Sequence, residues 1–234
     1  MNRSAAEIVR EYGPFPGVTR VNGVTYDGQQ VWIAVEDKLN AFDPVSGKVL
    51  RSIDVPAHAG TAFDGQHLYQ IADDRIQKID PNTGEVLATV PTPAGSGHSG
   101  LAWAEGTLWV AHYEERKIYQ IDPQTGTVLR SIETTRFVTG VTWVDGELWH
   151  GTWEDDGSDL RRVDPKTGEV LESLKMPPGM LSLALIAYRR RGVARLRSIR
   201  VSFTGCRSGR SVFMYTSRHC RCNPYRSPKK QSSA

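Results

Sequence analysis

The sequence predicts an all-β fold: a β-propeller of four-stranded blades, with four blades complete and a fifth missing or corrupted. The first observation is a pair of aromatic residues six positions apart, repeated as Tyr26 and Trp32, Phe63 and Tyr69, Trp103 and Trp109, Trp143 and Trp149. The second is a D-P-x-[ST]-G turn in every copy, at Asp43–Gly47, Asp80–Gly84, Asp122–Gly126 and Asp164–Gly168, in steps of 37, 42 and 42 residues. A period of about 40 with short apolar runs between turn residues is the signature of propeller blades. The third is a break: after Gly179 neither element recurs.

The blades divide as 18–56, 57–94, 95–136 and 137–178, together a propeller domain over 1–179. The third copy shows how each becomes four strands. Gly100–Trp103 is a short apolar run suited to an innermost strand. Glu105–Gly106 makes a tight turn, Gly supplying positive φ, and Leu108–Ala111 follows as the second strand. Lys117–Asp122 alternates apolar Ile118 and Ile121 with polar neighbours, a half-exposed third strand. In the D-P-x-[ST]-G element, Asp can bond N–H groups two or three residues on, Pro presets φ, and Gly takes the left-handed conformation. Its identical use in all four copies argues for a structural turn and against a calcium loop at Asp80–Glu85. Thr127–Ile132 completes the blade, and the aromatic pairs are expected to pack blade on blade.

Charge is segregated. Residues 1–179 carry 26 Asp and Glu against 16 Lys and Arg, a net −10, whereas 180–234 carry 13 Lys and Arg and no acid. Segment 180–234 is thus a basic tail, expected to be disordered or frame-displaced. The run Met180 to Leu185, back-translated and read two bases later, permits Ala-Val-Ser-Gly-Leu, the opening a fifth blade would have. We therefore hypothesise a displaced frame; a gene sequence whose other frames encode no blade-like peptide would sink it. Residues 8–12 are placed to donate the strand that completes the last blade. All three cysteines, Cys206, Cys220 and Cys222, lie in the tail, so the blades owe nothing to disulfides, and the donors there are too few for a structural zinc site. No nucleic-acid module accompanies the basic tail, which argues against nucleic acid as a partner. With no signal-like N-terminus and no run of membrane-spanning length, a monomeric cytoplasmic protein is expected.

The string Gly140–Leu174, GVTWVDGELWHGTWEDDGSDLRRVDPKTGEVLESL, resembles the repeats of the five-bladed glutamine cyclotransferase-like propellers of plants and bacteria. The matching elements are Phe137–Val141, Leu148–Trp153, Ser158–Asp164 and Thr167–Gly168. Streptogramin lyases and NHL-type propellers share the same blade grammar. The resemblance implies an acyltransferase that cyclises N-terminal glutaminyl peptides or acts on another small amine substrate at the channel mouth. The sequence departs from the family at its Gln before the blade-opening Gly, where Asn22 and Thr139 stand in blades one and four. It departs again at the Glu after the second-strand aromatic, replaced by Ile33, Gln70, Val110 and His150. The alternatives are a non-catalytic ligand- or protein-binding propeller and a truncated, non-functional product.

Blade geometry brings the loops before the first strands and those between the second and third strands to one mouth of the central channel. His98, His112, His150 and Glu114 are the candidate proton-transfer residues there, because imidazole and carboxylate are the materials of acid–base chemistry near neutral pH. Asn22, His58, Arg136, Thr139, Trp153 and Glu154 are the candidate substrate-binding residues. The expected partner is a small-molecule or peptide substrate. No cofactor is required by the sequence and no metal ligand set is assigned, although the mouth has donors suited to a divalent metal.

Overall fold

The computed structural model describes residues 2–6, 10–13, 15–144, 146–177, 187–190, 193–196 and 199–201. Two N-terminal strands, β1 (Asn2–Ala5) and β2 (Arg10–Tyr12), precede the blades. Blade one holds β3 (Gly23–Tyr26), β4 (Val31–Phe42) and β5 (Val49–Ala57); blade two holds β6 (Thr61–Phe63), β7 (Leu68–Ala72), β8 (Arg75–Ile79) and β9 (Val86–Pro91). Blade three holds β10 (His98–Ala104), β11 (Thr107–His112), β12 (Lys117–Ile121) and β13 (Val128–Glu133). Blade four holds β14 (Phe137–Val144), β15 (Glu147–Glu154), β16 (Gly157–Val163) and β17 (Val170–Lys175). Each is an antiparallel meander in sequence order, and no helix occurs among the described residues.

Blade one differs from the expected four strands, because its second and third strands run on as β4. The halves of β4 serve different neighbours: Val31–Ala34 pair with β3 and Glu36–Phe42 with β5. Exposed Glu36 to Lys38, with Glu36 at φ 53°, divide them.

The turn chemistry follows the sequence. Ala104 pairs with Thr107 across Glu105 (φ 49°) and Gly106 (φ 77°), a two-residue hairpin with both central residues left-handed. In the D-P turns the Asp Oδ1 accepts N–H bonds from the residues two and three positions on, as Asp122 does from Gln124 and Thr125 at 2.8 and 2.9 Å. The closing glycine, Gly126 at φ 73°, returns its N–H to the Asp122 carbonyl.

Successive inner strands lie against each other, β3 by β6, β6 by β10 and β10 by β14. Glycine at the blade opening permits the approach: a Cβ on Gly60 would fall 2.2 Å from Leu101 N, and one on Gly100 2.6 Å from Val141 N. Aromatics fill the remaining space between blades. The second aromatic of one blade stacks on the first of the next, Tyr69 on Trp103 (centroids 5.3 Å apart) and Trp109 on Trp143 (5.9 Å). Trp32 and Phe63 share one apolar cluster at the first interface. The continuation from Trp149 falls outside the described residues.

At the ends, β1 adds in parallel to β17, making the fourth sheet five-stranded. Beyond Gly179 come β18 (Ala187–Arg190), β19 (Val193–Leu196) and β20 (Ile199–Val201). β18 pairs with β19 and touches both β14 and β3, in the interval between blades four and one. β20 pairs in parallel with β2. The rest of 180–234, and with it the reading of a disordered or frame-displaced tail, lies outside the described residues.

Candidate functional site

A cavity of about 300 Å³ opens where the four inner strands begin. Its wall takes Arg20, Val21 and Asn22 from the approach to β3, and His58 and Ala59 from the approach to β6. Gly97, His98 and Ser99 contribute from the start of β10, Thr139 from β14, and Tyr113 and Glu114 from the β11–β12 loop. Five sequence-predicted residues therefore meet here: Asn22, His58, His98, Glu114 and Thr139.

Asn22 is oriented by its side-chain N–H, which donates to Ala57 O at 3.0 Å. His58 Nδ1 lies 2.8 Å from the Asp73 carboxylate, a partner from the β7–β8 turn. Ser99 Oγ donates to Val138 O at 2.6 Å, tying blade three to blade four beside the cavity. Tyr113 stacks on Phe137 with centroids 4.7 Å apart.

His98 and His112 are cross-strand partners on β10 and β11, and their rings meet edge to face with centroids 5.0 Å apart. His98 Nε2 donates to Pro93 O at 2.7 Å. Burial, with the neighbouring His112 adding to it, holds the His98 pKa below its usual 6.5, so the ring is neutral at pH 7. His112 is buried beneath, its Nδ1 accepting the Glu115 N–H at 3.2 Å. The Glu115 carboxylate accepts the Tyr119 hydroxyl, and this bond holds the carboxyl below its ordinary range. Burial, together with that bond, pushes the Tyr119 phenol up to about 12.

Other predicted residues lie elsewhere. His150 is only 1% exposed on β15; its Nδ1 donates to Gly151 O at 3.3 Å, and complete burial lowers its pKa to about 4. It lines neither cavity of the predicted residues: it is buried in the middle of β15, between Val141 and Arg161 in the register. Arg136 and Glu154 line a second cavity, of about 720 Å³, with Ser4 and Ala5. Their charges are engaged there: Arg136 pairs with Asp159 at 3.1 Å and Glu154 with Arg116 at 2.9 Å. Trp153, opposite Phe137 in the β14–β15 register, lines neither cavity. Among the described residues, no group of three or more His, Cys, Asp or Glu is arranged to hold a metal. Nor is any helix there long and apolar enough to cross a membrane.

Sequence reasoning missed Arg20, Gly97, Ser99 and Tyr113 as cavity residues. A signal existed for Tyr113, which directly follows His112 at a strand end. None existed for Arg20, which precedes the repeat's recognisable part.

Among solved structures the chain is similar to the glutaminyl cyclase of Myxococcus xanthus, with a TM-score of 0.67 and 14% identity over 93% of this chain and 97% of that one. It is also similar to Kuenenia stuttgartiensis hydrazine synthase, with a TM-score of 0.50 and 20% identity over 70% of this chain and 52% of that one. A chain of a mitotic checkpoint complex matches with a TM-score of 0.51 and 16% identity, over 68% and 51%. At such identities the likeness is one of fold. No curated protein matches the chain significantly by sequence. One family model covers residues 50–217, and by that match the chain belongs to the family described as Domain of unknown function (DUF5074).

Proposed function

We propose that this chain is a glutaminyl cyclase-like propeller that acts on N-terminal glutaminyl peptides, or a similar small amine substrate, in the cavity at the inner-strand mouth. The observation that carries the reading is the convergence of His58, His98, Glu114 and Asn22 on one cavity in this fold. The volume is at the lower end of the usual range for small-molecule sites.

In such a cyclisation the α-amine nitrogen attacks the side-chain carboxamide carbon. The new C–N bond closes a five-membered lactam, the old one breaks, and ammonia leaves with the proton the amine gave up. The chemistry needs an anionic anchor for the incoming ammonium and a neutral base to carry the proton, with groups that hold the substrate in place. Exposed Glu114 at the rim supplies the first. His98 supplies the second, since burial keeps it unprotonated at neutral pH. Asn22 and the His58–Asp73 pair orient the substrate from the opposite wall.

The test is ammonia release from an N-terminal glutaminyl peptide by the full chain, with His98→Ala as the comparison. Turnover that falls about 100-fold or more in the variant fits a proton-transfer role; no release by the unsubstituted chain overturns the reading. One observation favours a second reading, a propeller that binds ligand without chemistry. Ile33, Gln70, Val110 and His150, at the position where the related propellers carry Glu, are all buried and none is a carboxylate.

A further inference from the structure

The hydrogen bonds around His98 and His112 fix where each proton sits. Pro93 O can only accept, so His98 Nε2 carries its proton and Nδ1 holds the lone pair. The Glu115 N–H can only donate, so His112 Nδ1 holds the lone pair and Nε2 carries the proton. His98 Nδ1 and His112 Nε2 are the two atoms without a protein hydrogen-bond partner, and both are buried. An orphan acceptor and an orphan donor thus stand on rings 5.0 Å apart. A buried polar atom left so costs stability, and two complementary ones on neighbouring rings point to a shared occupant.

The site has an approach. His98 and Gly97 line the cavity. Gly97, at φ 97°, lies directly over His112: a Cβ there would come within 2.9 Å of Cε1 and 3.4 Å of Nε2. The bare glycine is thus the cavity-lining residue that lies against the His112 ring.

We propose that His98 and His112 form a subsite for one primary carboxamide, its N–H meeting His98 Nδ1 and its carbonyl oxygen meeting His112 Nε2–H. The chemistry excludes close alternatives. A carboxylate has no proton for His98 Nδ1. A metal ion needs a lone pair on His112 Nε2, which the Glu115 N–H has fixed on the other nitrogen. That the carboxamide belongs to an N-terminal glutamine rests on the function proposed above; the donor–acceptor match does not.

The experiment is long-range ¹H–¹⁵N spectroscopy of the histidine rings in the full chain at neutral pH. Butyramide is the probe, with isosteric butyrate and butanol as controls, and ammonia release from a glutaminyl peptide is assayed in parallel. The expected result is that butyramide shifts His98 Nδ1 and His112 Nε2 together, whereas butyrate does not. Gly97→Ala should weaken that response at least tenfold. Equal shifts with butanol would reassign the pair to a hydroxyl or water, and silence at saturating butyramide would remove the subsite. Ring shifts without ammonia release keep the subsite and overturn the cyclase reading. Ammonia release with unmoved rings does the reverse.

Discussion

A single imidazole behaves differently at each of three depths in this chain. His58 stands at the cavity wall with its Nδ1 on a carboxylate, His98 is half-buried and held neutral, and His150 is sealed inside a blade. If His98 carries the proton, activity should be full at pH 7.5 and fall as pH drops below 6.5 through its lowered pKa, a profile read from kcat/KM against pH. His150 makes a prediction about stability. Unfolded, it protonates near 6.5; folded, only near 4, so between these values the unfolded chain binds the extra proton. Its contribution is complete above pH 6.5 and is lost as pH falls to 4, a difference of about 3 kcal/mol. Urea denaturation at both pH values should show this loss in the native chain and a smaller one in His150→Gln. Residue identity alone could not separate these histidines. All four rim candidates satisfied the same loop arithmetic, and only the folded chain shows that His112 backs His98 while His150 is buried in mid-strand.

At the scale of the element, the blade was almost wholly legible, because its determinants are local: turn residues, alternation and the aromatic pair. The D-P turns and the Glu105–Gly106 hairpin take the dihedrals that their residue types require. What lay beyond sequence reading was the contact between elements. That Gly60 is needed for closeness to the next inner strand, and not for a turn, follows only from its neighbours. Gly60→Ala should therefore destabilise by about 3 kcal/mol or prevent folding, since the intruding Cβ meets backbone that cannot rotate away. Trp109→Ala, which removes one ring of the stack with Trp143 from a site 1% exposed, should cost about 3–5 kcal/mol in chemical denaturation. The division inside β4 was hidden in the same way: Val31–Ala34 pair with β3 and Glu36–Phe42 with β5, and left-handed Glu36 parts them.

On the scale of the whole molecule, the question is how the interval between blades four and one is filled. β18 touches β14 and β3 there, and β20 pairs with β2 near the N-terminus. Sequence patterning could not foresee these pairings, because the segment after Gly179 has neither the hairpin nor the turn of the repeat. A chain ending at Pro177 should lose that cover from both inner strands. Its melting temperature should fall by about 5 °C, the equivalent of about 2 kcal/mol, with a rise in apolar-dye binding. An unchanged melt would mean that the four blades hold without it.

The four D-P turns also make each blade chemically scissile. In acid an aspartyl carboxyl attacks its own carbonyl, and the basic proline nitrogen leaves easily, so Asp–Pro bonds hydrolyse ahead of others. Here such bonds fall after Asp43, Asp80, Asp122 and Asp164, and cutting all of them would release interior fragments of 37, 42 and 42 residues. While the blades are folded, those carboxylates are occupied by backbone N–H groups, which also hold Asp80, Asp122 and Asp164 below their ordinary pKa. The fold thus guards its own weakest bonds, and a ladder of blade-length peptides in mild acid would record the order in which the turns come undone.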